Sequence, residues 1–202
     1  MKRVLVFFTA ATLSTGAAAG LFDVVKDIAV EVASDVAADY ISDMIINYNS
    51  SQTEDESRVA DKYRQKHGAL PQSPLVSSYK TEVLPGKRVA RGNQVTFSST
   101  VELVPGQNKQ SVNVMETLTI WDNEDPSVEL KSVSKSLTGG PTTGGIFNGQ
   151  FTMSFPEDLP GGTYPISTAI TLDGEQVRSD KNYLEIVSLE ATASGERIAY
   201  RN

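Results

Sequence analysis

The side chains that most often carry covalent or acid–base chemistry are scarce in this chain of 202 residues, which has one histidine, His67, and no cysteine. Nucleophilic catalysis usually needs a thiolate or a base beside the nucleophile, so that class is nearly empty. His67 falls at the expected end of a helix, where a cation suits the dipole, and is read as a capping or solvent-facing residue. Carboxylates can run acid–base chemistry unaided when two of them share a cleft. Only Glu116 breaks an apolar alternation, and the expectation there is a bulge or an edge position rather than a buried functional acid. A hydrolase built on carboxylates alone would need a second acid in the same cleft.

The densest oxygen cluster is Asp122-Asn123-Glu124-Asp125-Pro126. Calcium takes roughly six to eight oxygen ligands. Asp122 and Asp125 are therefore candidate Ca²⁺ ligands, with Asp173 and Glu175 joining only if two loops meet. No calcium-loop spacing is present, and the first expectation is a solvated acidic turn. Trp121, with tyrosines nearby, is a candidate stacking platform for a sugar or another small ligand, although aromatics in strands usually serve the core. Residues 138–145 (TGGPTTGG) precede neither a helix pattern nor a lysine and read as a flexible loop, not a phosphate cradle. No cofactor is expected.

Composition narrows the partners. Residues 1–19 hold Lys2 and Arg3 and no acid, and the remainder carries 16 bases against 25 acids, a net charge of −9. Such a surface repels phosphate backbones and disfavours nucleic acid. The basic start, the apolar run from Val4 to Leu13 and the small residues Ala17-Ala18-Ala19 have the order of a secretory signal peptide over residues 1–19. The apolar run is far shorter than the roughly 20 residues that a spanning helix needs. An exported chain follows, periplasmic or secreted, starting at Gly20 or Leu21 and without a membrane span after cleavage. With no cysteine, it has no disulfide staples.

Residues 20–67 read as a helical arm. From Leu21 to Asn47 there is no Gly or Pro, and acids recur at every fourth position from Asp23 to Asp43. A parallel row, Val25, Ala29, Ala33, Ala37 and Ile41, forms an apolar ridge beside them. Acids four apart on a helix repel one another by roughly 0.2–0.5 kcal/mol per pair, so the helix needs burial to hold. The ridge is thus a candidate interaction face, docking on the chain's own domain, on a second copy or on a protein partner. Membrane-surface binding is disfavoured because the polar face is acidic. Asn47 to Thr53 reads as a turn, and Thr53 with Glu56 as a capping box opening a second, mostly exposed helix that Gly68 stops. Asn49-Ser50-Ser51 matches a glycosylation acceptor, a pattern common by chance. Residues 68–75, with Pro71 and Pro74, form the linker.

Beyond the linker the period drops from near four to two. Val95, Phe97, Ser99, Val101 and Leu103 alternate with polar neighbours, as do Phe147, Gly149, Phe151 and Met153, and Tyr164, Ile166, Thr168 and Ile170. Turn residues separate the runs, and Asp173-Gly174 predicts a tight hairpin. About seven strands at regular spacing over 76–189 indicate a sandwich. Leu159-Pro160-Gly161-Gly162-Thr163-Tyr164 resembles the tyrosine corner of immunoglobulin-like and fibronectin type III-like domains. The stretch Pro85-Gly86-Lys87-Arg88-Val89-Ala90-Arg91-Gly92-Asn93-Gln94-Val95-Thr96-Phe97 is similar to the first-strand edge of bacterial immunoglobulin-like domains. The resemblance implies a seven-stranded antiparallel immunoglobulin-like β-sandwich preceded by an N-terminal amphipathic helical arm, with residues 190–202 as a flexible tail. The fold implies no activity by itself. The expected function is an exported non-catalytic interaction or structural module, with a carbohydrate or small-ligand binding module at Trp121 as the alternative.

Overall fold

The computed structural model of the protein describes residues 39–187. The expected signal peptide, the arm upstream of residue 39, and the tail 190–202 lie outside the described residues. Residues 39–43 are helical. Nine strands and one further helix follow: β1 (Ile46–Glu54), α1 (Glu56–His67), β2 (Leu75–Leu84), β3 (Arg88–Ala90), β4 (Gln94–Val104), β5 (Val114–Trp121), β6 (Glu129–Ser136), β7 (Gly145–Ser154), β8 (Gly162–Leu172) and β9 (Glu175–Val187). They form two sheets, β1-β7-β4-β2 and β3-β9-β8-β5-β6.

The period-two runs become the strands whose alternate side chains fill the space between the sheets. Phe97 on β4 lies opposite Phe151 on β7, and Val95 opposite Met153. Phe97, Phe151 and Ile170 are all buried. Asp173 and Gly174 join β8 to β9 as a two-residue hairpin with φ of 50° and 90°. Two positive values are what a type I′ turn requires, and they match the right-handed twist of the strands. The Tyr164 hydroxyl donates to the carbonyl of Pro160 at 3.0 Å. That is the tyrosine corner, at the start of the penultimate strand. The domain is an immunoglobulin-like β-sandwich.

Three expectations are corrected. The strand count is nine among the described residues, not seven, and the sandwich is not wholly antiparallel, because β3 runs parallel to β9. The arm does not stay helical to residue 67. Residues 46–54, expected to end one helix and make a turn, form β1, an edge strand that pairs antiparallel with β7 from Ile46 opposite Met153 to Glu54 opposite Ile146. Thr53 therefore cannot cap α1, and its hydroxyl donates to the Ile146 carbonyl. The cap is Asp55, whose carboxylate accepts from the Arg58 amide at 2.8 Å. Gly68 ends α1 as expected, with φ of 83°. The helix is mostly exposed and buries Val59 and Ala60 against β4 and β7.

The sandwich is closed at both flanks. On one, β2 and β9 meet through polar groups: the Thr81 hydroxyl donates to Asp180, and Arg178 Nη2 donates to the Val76 carbonyl at 2.9 Å. On the other, the helical turn 39–43 leads Ile41 and Met44 into the core, with Leu130 and Val133 of β6 and Ile46 of β1 packed on the same cluster. Lys131 on β6 donates to the carbonyl of Ser42. The linker is pinned too, because the Gln107 amide donates to the Pro71 carbonyl at 2.8 Å. No described helix is long and apolar enough to cross a membrane.

Candidate functional site

Four strands carry a polar or vacant position at the same level of the interior. Along β4 the inward residues run Phe97, Ser99, Val101; along β5, Leu118, Glu116, Val114; along β7, Phe151, Gly149, Phe147; along β8, Ile166, Thr168, Ile170. The first member of each triplet belongs to one apolar cluster and the last to another. Ser99, Glu116, Gly149 and Thr168 thus form a polar stripe that divides the core. Tyr48 from β1 packs on both clusters and bridges the stripe.

Glu116 is its centre. It is 1% exposed on an interior strand of its sheet, between β8 and β6. The expectation of a bulge or an edge position is corrected. The ladder is regular at Glu116, which faces Lys135 on one side and Ile170 on the other. The polar break in β5 is tolerated because the opposite sheet brings partners to it. The Tyr48 hydroxyl donates to Glu116 Oε2 at 3.2 Å and the Tyr79 hydroxyl to Oε1 at 3.3 Å. A Cβ on Gly149 would lie 2.1 Å from Glu116 Oε2, so the residue beneath the carboxyl has to be glycine. Burial pushes the Glu116 carboxyl above the usual carboxylate range, while hydrogen bonds from Ser99, Tyr48 and Tyr79 pull it partly back. Burial and the Glu116 charge raise both tyrosines. The arrangement can hold a proton, but solvent and substrate do not reach it. Its physical role is to tie the two sheets together through the hydrogen bonds that Tyr48 and Tyr79 donate across the interior to one carboxyl group.

The acidic turn is not uniformly solvated. Asp122 is fully buried, and its Oδ1 accepts from the amides of Glu124 and Asp125 at 2.7 and 2.8 Å. Asp125 Oδ1 accepts from the Ser127 amide and hydroxyl, which hold its carboxyl below the usual range. These are the bonds of a self-capped turn. Among the described residues no group of three or more His, Asp or Glu gathers in a metal-binding arrangement. Asp173 is spent on Asn113, whose amide reaches its Oδ1 at 2.8 Å. Burial and the charge of Asp122 push the Tyr164 hydroxyl up to about 12.

Trp121 lies at the end of β5 on the outer face of its sheet, as its alternation against Leu118 and Ile120 required. Its indole Nε1–H donates to the Ser167 hydroxyl at 2.9 Å. Beside it is a hollow of about 450 Å³ lined by Trp121, Pro126, Pro165, Ser167 and Lys181 among others. His67 is in the last turn of α1 and stacks on Tyr63, ring centroids 4.3 Å apart. Of the expected interaction ridge, Ile41 is buried in the chain's own core. Val25, Ala29, Ala33 and Ala37 lie outside the described residues.

Sequence reasoning singled out Glu116, Trp121 and Asp122 but missed Tyr48, Tyr79 and the stripe as a whole. Its signal was present, because Ser99, Gly149 and Thr168 each occupy an inward position of an otherwise apolar run.

No protein-family model matches the chain, and no curated protein matches it. Solved structures to which the chain is similar include a CARDB domain from Pyrococcus furiosus in complex with di-metal ions, at 14% identity over 58% of this chain and 92% of that one, TM-score 0.37. A superoxide reductase (neelaredoxin) from Ignicoccus hospitalis matches at 12% identity over 55% of this chain and 82% of that one, TM-score 0.37. A Pseudomonas fluorescens alkylpurine DNA glycosylase bound to DNA matches at 12% identity over 65% and 35%, TM-score 0.37. At these values the likenesses carry no argument.

Proposed function

We propose that the chain is an exported, non-catalytic interaction or structural module, in which an immunoglobulin-like body carries its upstream segment as an assembly surface. One observation supports this best: the helical turn 39–43 seats Ile41 and Met44 in the core. The base of the arm is thereby fixed to the body. The upstream ridge of Val25, Ala29, Ala33 and Ala37, small enough to admit another helix closely, is the part that meets a second copy or a partner protein. The sealing of Glu116 supports the non-catalytic part of the reading. The leader over residues 1–19 belongs to it as well, with the product in the periplasm or the medium.

The test is light scattering of chain 20–202 and of the same chain carrying Ala29→Glu, Ala33→Glu and Ala37→Glu. The expected result is a concentration-dependent mass above the monomer that the substitutions abolish. Monomers in both cases, with no defined protein complex, would overturn the proposal. A second reading, ligand binding at Trp121, is favoured by the hollow beside its indole.

A further inference from the structure

The outer face of the β3-β9-β8-β5-β6 sheet carries an unusual row. Ile120 lies opposite Ile166 on β8, and Pro165 lies opposite Tyr183 on β9. Trp121, the next residue of β5 after a register shift against β6, shares a hollow with Pro165, so Trp121, Pro165 and Tyr183 lie on three adjacent strands on the side away from the core. Neighbouring strands are roughly 4.8 Å apart, so the two aromatic residues stand roughly 10 Å from each other with the proline ring between them. Tyr183 is 52% exposed, among the most open large apolar side chains described. Lys87 places its Nζ over one face of the Tyr183 ring, 4.6 Å from the centroid.

We infer that this row binds a glycan chain, with pyranose rings stacked on Trp121 and Tyr183 and sugar hydroxyls taken by the Lys181 ammonium. The inference rests on ligand binding at Trp121 and names the ligand class. The separation of the two aromatics matches one disaccharide step of an extended β-linked chain, so alternate rings meet an aromatic and the ring between lies over Pro165. Among the described residues the Lys181 ammonium has no hydrogen-bond or ion-pair partner, and it lines the hollow beside Trp121. The hollow's volume, about 450 Å³, lies in the ordinary range for ligand sites. A proline-rich peptide also stacks on aromatic side chains, and the titration below separates it from a glycan. The Trp121 N–H is already committed to Ser167, which leaves the indole its faces and holds it in one orientation. That is what a sugar ring uses.

Trp121 is the sole tryptophan, so its emission reports this site without background. The experiment titrates chain 20–202 with the β-linked cellohexaose, chitohexaose and mannohexaose, the matching disaccharides and a proline-rich decapeptide. At least one hexasaccharide is expected to shift the emission saturably and to bind more tightly than its disaccharide, by up to about tenfold for the second stacked ring. Tyr183→Ala should erase that gain with chain length and leave disaccharide binding intact. Lys181→Ala should weaken both. Both residues are exposed, and unchanged melting temperatures confirm that the variants fold. If no probe alters the emission, the inference and the reading beneath it both fall. If the peptide alone binds, or disaccharide and hexasaccharide bind equally, ligand binding at Trp121 stands and the glycan row falls.

Discussion

A carboxyl group enclosed between two sheets must either stay charged at high cost or keep its proton. Glu116 is in that position, with only neutral hydroxyls as its hydrogen-bond partners. Its folded-state pKa lies above the value near 4.3 of an unfolded chain. A group raised in this way gives its full contribution to stability below the unfolded value and loses it as pH rises toward the folded one. Most carboxylates act in the opposite sense. Glu116→Gln keeps the shape and cannot ionise, so its stability relative to the parent should increase from pH 4 to pH 8. Urea unfolding of both proteins at unit pH intervals measures this. A constant difference across that range would show that Glu116 is charged in the folded protein. Sequence alone left Glu116 as a flaw in one strand, because its partners Tyr48 and Tyr79 are 68 and 37 residues away.

The elements differ in how openly the chain announces them. β4, β7 and β8 have one dry and one wet face, and that arrangement writes a period of two into the sequence. The hairpin at Asp173-Gly174 and the stop at Gly68 were legible for local steric reasons. β1 was not. Its Asn-Tyr-Asn-Ser-Ser-Gln-Thr run has turn composition, and it is a strand only because β7 offers an open edge. The helical turn before it is a case of tertiary burial deciding between two uses of one ridge: Ile41 was a candidate contact for a partner and is a core residue instead. Ile41→Ala should therefore destabilise the domain by about 2–5 kcal/mol, as for other buried large-to-small changes. Chemical denaturation of chain 20–202 measures it. A change within about 0.5 kcal/mol, the range of an exposed substitution, would mean that the turn does not pack as described.

For the molecule as a whole, the proline linker is a misleading border. Residues 68–75 look like the seam between an arm and a domain, yet β1 and α1 on the near side are part of the sandwich. A chain of residues 70–202 would lack Tyr48, leave β7 with an open edge and uncover the stripe around Glu116. Such a fragment should unfold less cooperatively and expose apolar surface, read as dye binding and loss of a sharp thermal transition, whereas a chain of residues 39–202 should keep both. A fragment 70–202 as stable as the longer one would show β1 to be dispensable. The first of the described strands thus pairs with the seventh, Ile46 with Met153. Until most of the body exists, β1 has nowhere to go. The native sheet cannot be completed early, and its edge stays open for as long as β7 is missing.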